Sequence, residues 1–410
     1  MVLFGQNPSQ GTLLKASQFL AEELPVRLAH RVKELDELPH NLSAMPSIKK
    51  VKNWYAQSFE ELINFPAITL PPNIRQALMT PRSDDITLPE STPNPAMKGA
   101  GYMNGNGANG NGFNKLKLRV PMERRYYANT MGVNWPPEVA HYNNRFTKTL
   151  ETIKSRHDPT VTTVAQGVLE WKKSQGTKTI GLDIQAWLDR FYMSRIGIRP
   201  YPTNDHARPD IALNTQQAHP DYVGIICTNA NVHDIVQEAI ENARFVCEEH
   251  YAMFKGPPVQ LICPSALSFP YVPGHLSHIC FELLKNSLRA VVERHGPENE
   301  DAFPPIKVVV VEGTEDITIK ISDEGGGIPR SAIPLIWTYM YTTMEGQGID
   351  QDFHASDFKA PMAGFGYGLP LSRLYARYFG GDLRLIAMDG FGTDVYIHLN
   401  RLSSSREPLL

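Results

Sequence analysis

The sequence predicts an α+β protein: an N-terminal antiparallel helical bundle followed by an α/β sandwich with helices over one face of a mixed sheet. Three observations predict it. Apolar residues recur at helical spacing through much of the first 199 residues. From residue 221 short β-rich runs alternate with helical patterns. In that second half two glycine clusters, at 325–327 and 364–368, stand beside a strand end and a helix start. A chain of 410 residues has room for two or three domains.

Residues 12–38 place Leu24, Leu28, Val32 and Leu35 at helical spacing; Pro25 interrupts the pattern and Pro39 stops it. A helix over 47–65 puts Ile48, Val51, Tyr55, Phe59 and Leu62 on one face. Residues 69–95 are rich in proline and turn formers. The stretch 97–114, MKGAGYMNGNGANGNGFN, holds too little apolar surface to offset chain entropy, so about 92–116 is expected as a disordered insertion. Its glycines have no strand before them and no helix after, which argues against phosphate binding. Helical pattern resumes near 143 and runs toward 173 with a bend at Pro159, and a further helix spans 183–197. Long amphipathic helices of this kind suit an antiparallel bundle. The bundle is expected over 1–199 and a linker over 200–220.

In the second half, 222–227 reads as one short strand, 232–251 as a helix, 259–263 as a strand and 275–293 as a long helix. The runs 306–311 and 316–322 flank the turn Glu312-Gly313-Thr314-Glu315 as a hairpin. Helix 371–378 and strands 383–388 and 393–399 complete a domain expected over 221–402, with a tail at 403–410.

Composition excludes several classes. A net charge of −3 gives no overall attraction to nucleic acid or to an anionic membrane surface, so neither is expected as a partner. The four cysteines, Cys227, Cys247, Cys263 and Cys280, lack CxxC spacing and read as small buried hydrophobes in a reducing compartment. No apolar run reaches the ~18 residues of a membrane helix. The opening residues lack the Arg-rich amphipathic character of a transit peptide, so the chain is cytosolic unless a targeting segment lies outside the sequence.

The chemistry centres on 277–294, SHICFELLKNSLRAVVER. As a helix it sets Glu282, Asn286, Arg289 and Glu293 on one stripe, while Ile279, Leu283, Leu284, Leu288 and Val291 face a core. Asn286 offers an uncharged oxygen to Mg²⁺, and Glu282 a proton acceptor for a nucleophile. The same stripe would also serve as a solvated charged face. Downstream, Asp323 ends a strand ahead of Gly325-Gly326-Gly327, where a flat base could approach bare backbone and give Asp323 an exocyclic amine hydrogen. Gly364-Phe365-Gly366-Tyr367-Gly368-Leu369 then opens a helix, which suits phosphate binding. Residues 343–359 are polar and read as a lid or as a plain surface loop. Gly392 and Thr393 precede the last strand, where Thr393 meets either Asp323 and the base or nothing more than a turn.

The order of these motifs resembles the GHKL superfamily of ATP-binding proteins with the Bergerat fold. Over nearly the whole chain the sequence is similar to the mitochondrial pyruvate dehydrogenase kinase family, with the branched-chain 2-oxoacid dehydrogenase kinases a near alternative. The resemblance rests on EELPVRLAHRV (22–32), RHDPTVTTVAQGVLEW (156–171), LDRFYMSRIGIR (188–199), YVPGHLSHICFELLKNSLRAVVE (271–293), MAGFGYGLPLSRLYARYFGGDL (362–383) and GFGTDVYIHL (390–399). The Tyr in GFGYGLP leans toward the pyruvate enzymes.

What the resemblance implies is a four-helix N-terminal bundle and a GHKL sandwich acting as an ATP-dependent serine kinase. Its substrate would be the E1α subunit of pyruvate dehydrogenase in the mitochondrial matrix, its docking partner the lipoyl domain of the E2 core, and its assembly a homodimer. Mg²⁺ is implied as cofactor, with K⁺ as an optional further ion. Glu282 would be the general base, tuned by His157, and Asn286 the Mg²⁺ ligand. Lys285, Arg289, Thr342, Thr343, Gly364, Phe365, Gly366, Tyr367, Gly368 and Leu369 would lie along the nucleotide, with Asp323, Gly325, Gly327 and Thr393 at the adenine. Ser194, Arg195 and Ile198 fall where the family's allosteric pocket lies. Three rivals share the motifs: a histidine kinase phosphorylating His157, an ATPase in which Glu282 activates water, and a nonenzymatic nucleotide-binding adaptor. This chain departs from the family pattern at Glu324, where a basic residue is usual, in the 97–114 insertion, at Pro200, and in a tail without an Asp-Trp pair.

Overall fold

The structure, a computed structural model, describes residues 9–72, 74, 135–176, 180–198, 221–223, 225–342 and 366–401. The expected insertion at 92–116, linker at 200–220 and tail at 403–410 lie outside the described residues. The chain divides into two compact units, one of 1–6, 21–65 and 144–410, the other of 7–20 and 66–143.

Helices dominate the N-terminal region: α1 Gln10–Asp36, α2 Pro46–Ile63, α3 Pro137–His157, α4 Thr160–Gln175 and α5 Leu182–Ile198. The interruption expected at Pro25 does not occur, because α1 runs straight through it. Proline inside a helix costs about 3 kcal/mol or more. Leu24 and Leu28, on either side, are both buried, and burial of that apolar face offsets the cost. The helical pattern expected to resume near 143 starts earlier, since Pro137 enters at the first turn and Glu138 follows it, both favourable there. It does break at Pro159, where Thr160 Oγ1 donates to the His157 carbonyl (2.6 Å) and Thr163 Oγ1 to the Pro159 carbonyl (2.7 Å). Helix α4 stops at Gly176 in the left-handed conformation, φ 63°.

Within the first unit, α2 and α4 approach so closely that a Cβ on Gly167 would stand 2.6 Å from Ile48 Cγ1. In the second unit Leu14, Ile74 and Val139 bury one another, and Asn143 Nδ2 donates to the carbonyl and the side-chain oxygen of Gln10.

The C-terminal part is built of β1 Tyr222–Val223, β2 Ile226–Asn231, α6 Val232–Tyr251, β3 Val259–Ile262, β4 Ser268–Tyr271, α7 Pro273–His295, β5 Ile306–Glu312, β6 Asp316–Asp323, α8 Gly368–Tyr378, β7 Asp382–Met388 and β8 Gly392–Asn400. The single strand expected over 222–227 is two strands, β1 and β2, paired antiparallel. Strand β4 was not expected, because Pro270 breaks its strand signature; it sits at the edge of a three-stranded sheet of order β1-β2-β4, where a missing N–H is tolerated.

The main sheet has the order β3-β5-β6-β8-β7. Among the described strands β3 and β5 run parallel and the other pairs antiparallel, so the sheet is mixed. Along β6, Ile317, Ile319 and Ile321 are buried while their neighbours are half-exposed, the alternation of a sheet covered on one face. A single core joins that face to α6, α7 and α8 through Ile279, Leu283, Leu288, Val291, Ile319, Ile397 and Leu399, among others. The register of β6 against β8 ends by setting Asp323 opposite Thr393, two residues 70 positions apart in sequence.

Candidate nucleotide-binding site

The polar face of α7 forms one wall of a cavity of about 580 Å³. Eight of the residues singled out in the sequence meet there: Glu282, Lys285, Asn286 and Arg289 from α7, Asp323 from the end of β6, Gly325 and Gly327 from the following loop, and Thr393 from β8 all line it. Thr342, Gly366, Gly368 and Leu369 line it too. Tyr367 does not; it is buried behind the loop. Thr343, Gly364, Phe365 and the expected lid at 343–359 lie outside the described residues.

Glu282 and Lys285 are both buried and form an ion pair, Nζ to Oε1 at 2.8 Å. The ammonium also stands 5.2 Å from the Phe281 ring centre. The other Glu282 oxygen faces the start of α8: a Cβ on Gly368 would lie 2.4 Å from Oε2. Gly366 is constrained twice, by φ of +74° and by the Tyr341 carbonyl, which a Cβ would approach to 2.4 Å. Its own carbonyl accepts from Met340 N–H at 3.2 Å. Backbone amides and a helix N-terminus at this point favour anions.

Asp323 is buried, accepting from Gly325 N–H at 3.0 Å and from Ser287 Oγ at 2.9 Å. Burial pushes its carboxyl above the usual range, against the opposing pull of those donors. Ser287 was not foreseen; its signal, one residue beyond Asn286 on α7, has meaning only once β6 is known to pass beneath the helix. Gly325 lies against α7, with a Cβ there 2.5 Å from Ala290 Cβ.

Helix α5 grips the chain around Tyr339. Gln185 bonds both the N–H (2.9 Å) and the carbonyl (3.3 Å) of Tyr339, and the Tyr339 hydroxyl donates to Asp189 at 2.7 Å. Tyr192 of the same helix packs edge-on to Tyr367, with ring centres 5.9 Å apart. Burial raises the phenols of Tyr192, Tyr339 and Tyr367, so all three stay neutral.

His157 stands elsewhere. Its Nε2 is 3.0 Å from Ser58 Oγ and 3.3 Å from the Trp54 carbonyl, and its ring packs on Tyr55. Ser58 gives its one hydrogen to the Trp54 carbonyl and accepts from Arg156, which leaves it a lone pair for a proton on His157 Nε2. Burial lowers the His157 pKa to about 4, so the ring is neutral at physiological pH. Arg195 is buried and donates to the carbonyls of His157 and Asp158, each at 3.1 Å. Ser194 is half-buried on α5, and the Ile198 side chain lies outside the described residues.

Among the described residues no cluster of three His, Cys, Asp or Glu side chains could hold a metal ion. Asn286 is an exposed carboxamide on the cavity wall. Nor, among those residues, is any helix long and apolar enough to cross a membrane.

A mixed sheet with helices on one face, and a cavity between its long helix and two glycine loops, define the class: the model for the histidine kinase-, DNA gyrase B-, and HSP90-like ATPases matches residues 271–403. A second model, for mitochondrial branched-chain alpha-ketoacid dehydrogenase kinase, matches residues 1–227. The chain is 43% identical to a mitochondrial [pyruvate dehydrogenase (acetyl-transferring)] kinase of Schizosaccharomyces pombe, over 100% of this chain and 93% of that one. It is 37% identical to the kinase of the same name from Arabidopsis thaliana, over 100% and 91%, and 36% identical to human isozyme 3, over 94% and 78%. The protein belongs to the family of mitochondrial pyruvate dehydrogenase and branched-chain alpha-ketoacid dehydrogenase kinases.

Proposed function

We propose that this protein is an ATP- and Mg²⁺-dependent serine kinase of mitochondria that phosphorylates, and so inactivates, the E1α subunit of the pyruvate dehydrogenase complex. The observation that carries the reading is the meeting, in one cavity, of the Glu282 carboxylate, the Gly366–Gly368 backbone and Asp323. Relatives with pyruvate dehydrogenase in their names match over essentially the whole chain, which favours that complex over the branched-chain one.

In this reading Asp323 accepts a hydrogen bond from the adenine amine, beside Thr393, while Gly325 and Gly327 leave room for the ring. The amides at Gly366 and Gly368 receive phosphate oxygens, with Lys285, Arg289 and Thr342 nearby. Asn286 would hold Mg²⁺, which neutralises phosphate charge when bound. Glu282 takes the proton of the incoming serine hydroxyl as its oxygen bonds the γ-phosphorus and the bond to the ADP oxygen breaks. Positioning and electrostatics do most of this work, and a general base contributes on the order of 10²–10⁴-fold. His157, neutral and held by Ser58 and the Trp54 carbonyl outside the cavity lining, is not a phosphate acceptor in this reading. The E2 lipoyl domain as docking partner, a homodimer, a matrix location and an effector site around Ser194, Arg195 and Ile198 complete the proposal on the strength of the family resemblance.

The test is to incubate the protein with Mg·[γ-³²P]ATP and both purified E1 components. Acid-stable label on a serine of pyruvate dehydrogenase E1α, lost with Glu282→Gln, is the expected result. Preferential label on the branched-chain E1, or acid-labile phosphate on the protein itself, would overturn it.

A further inference from the structure

Arg294 lies in the last turn of α7, three turns beyond Glu282, and lines the same cavity. Its guanidinium spans two segments that are far apart in sequence. Nη1 donates to the Glu324 carbonyl at 2.9 Å and to the Phe391 carbonyl, and Nη2 donates to the Gly390 carbonyl at 3.0 Å. These carbonyls belong to the loop after Asp323 and the turn before Thr393. The two segments also bond each other, Gly326 N–H to Phe391 O at 3.1 Å and Gly390 N–H to Gly326 O at 2.8 Å. They are locked by packing: a Cβ on Gly392 would lie 2.0 Å from the Asp323 carbonyl, and one on Gly327 2.0 Å from the Met388 carbonyl.

From this arrangement we infer that Arg294 is the residue that sets base specificity, by clamping the Asp323 loop and the Thr393 turn at a fixed spacing. The inference rests on the reading that Asp323 meets the adenine. A carboxylate acceptor fixed in place rewards the 6-amino group of adenine and opposes the 6-oxo group of guanine, because two acceptors facing each other leave buried polar atoms unpaired. The discrimination survives only as long as Asp323 cannot turn away, and a clamp that joins both flanking segments to a rigid helix prevents that. Arginine suits the task, since its rigid planar fork spreads its donors over carbonyls of two segments, whereas a lysine ammonium offers its donors from a single flexible point. Arg294 is itself exposed, so removing it opens no cavity in the core.

Binding of ATP and GTP, each with Mg²⁺, to the full-length protein tests this by titration calorimetry, comparing the native chain with Arg294→Met, Arg294→Lys, Asp323→Asn and, as an exposed arginine outside the site, Arg384→Met. Arg294→Met should weaken ATP about tenfold, the scale of one or two charge-assisted hydrogen bonds, and leave GTP little changed, so that the preference for ATP shrinks about tenfold. Arg294→Lys should recover only a minor part, and Arg384→Met should match the native chain. Equal weakening of both nucleotides, or a preference unchanged in both Arg294 variants while Asp323→Asn abolishes it, would overturn the role of Arg294 and leave the adenine assignment standing. A preference unaffected even by Asp323→Asn would instead remove the adenine assignment, and this inference with it.

Discussion

Gly368 shows how much a single hydrogen atom decides at this site. Any side chain there meets the Glu282 carboxylate at 2.4 Å, so Gly368→Ala should displace the proposed base and lower kcat by about 10²-fold or more, within the range a positioned base supplies. A phosphorylation assay at saturating ATP, with circular dichroism to verify the fold, measures it. Asp323 makes a second prediction. Burial holds its carboxyl above the usual range, and an amine donor favours the charged form, so proton and nucleotide compete. ATP affinity should therefore fall as pH drops through that raised pKa, and the pH dependence should vanish in Asp323→Asn. His157 gives a third. With a folded pKa of about 4 against about 6.5 unfolded, the unfolded chain binds a proton that the folded one does not. The stability is complete above 6.5 and is lost as pH falls toward 4, by about 1–3 kcal/mol. Chemical denaturation across that window, compared with His157→Gln, tests the sign and size.

Helix α5 acts at the scale of the element. Its Gln185 and Asp189 hold Tyr339 at both the backbone and the hydroxyl, and the chain from there runs directly to Tyr341, whose carbonyl confines Gly366. The position of Tyr341, and with it the space at Gly366, is thus tied to a helix of the N-terminal region. Asp189→Asn weakens a charge-assisted bond worth about 1.5–3 kcal/mol, and part of that loss should appear as an ATP KM raised by about three- to tenfold, with the melting temperature changed little. A variant that melts early while keeping its KM would instead mark Asp189 as purely structural. Both outcomes are visible in one kinetic and one thermal series.

For the molecule as a whole, the cavity is closed by elements from widely separated parts of the chain, and a ligand that bridges them must stabilise the folded state. Mg·ADP at about 100 times its Kd should add about 2.7 kcal/mol to unfolding, seen as a rise in melting temperature. The rise should be much smaller in Asp323→Asn at the same nucleotide concentration.

Much of this was legible in the residues. The stripe on α7, the Asp323 glycine loop and the glycines at 366 and 368 carry local signatures, because helix periodicity and bare backbone are properties of a few neighbours. The split strands β1 and β2, the edge strand β4 and the unbroken α1 were not legible, since Pro25 and Pro270 send local signals that distant packing overrides. What the sequence alone determined was the elements and the chemical candidates they carry. What only the tertiary structure decided was their pairing: Asp323 with Ser287, Tyr339 with Asp189, Arg294 with the Gly390 turn. These bonds join residues 36, 150 and 96 positions apart, and no periodicity within a segment encodes a contact that the sheet register and helix packing create.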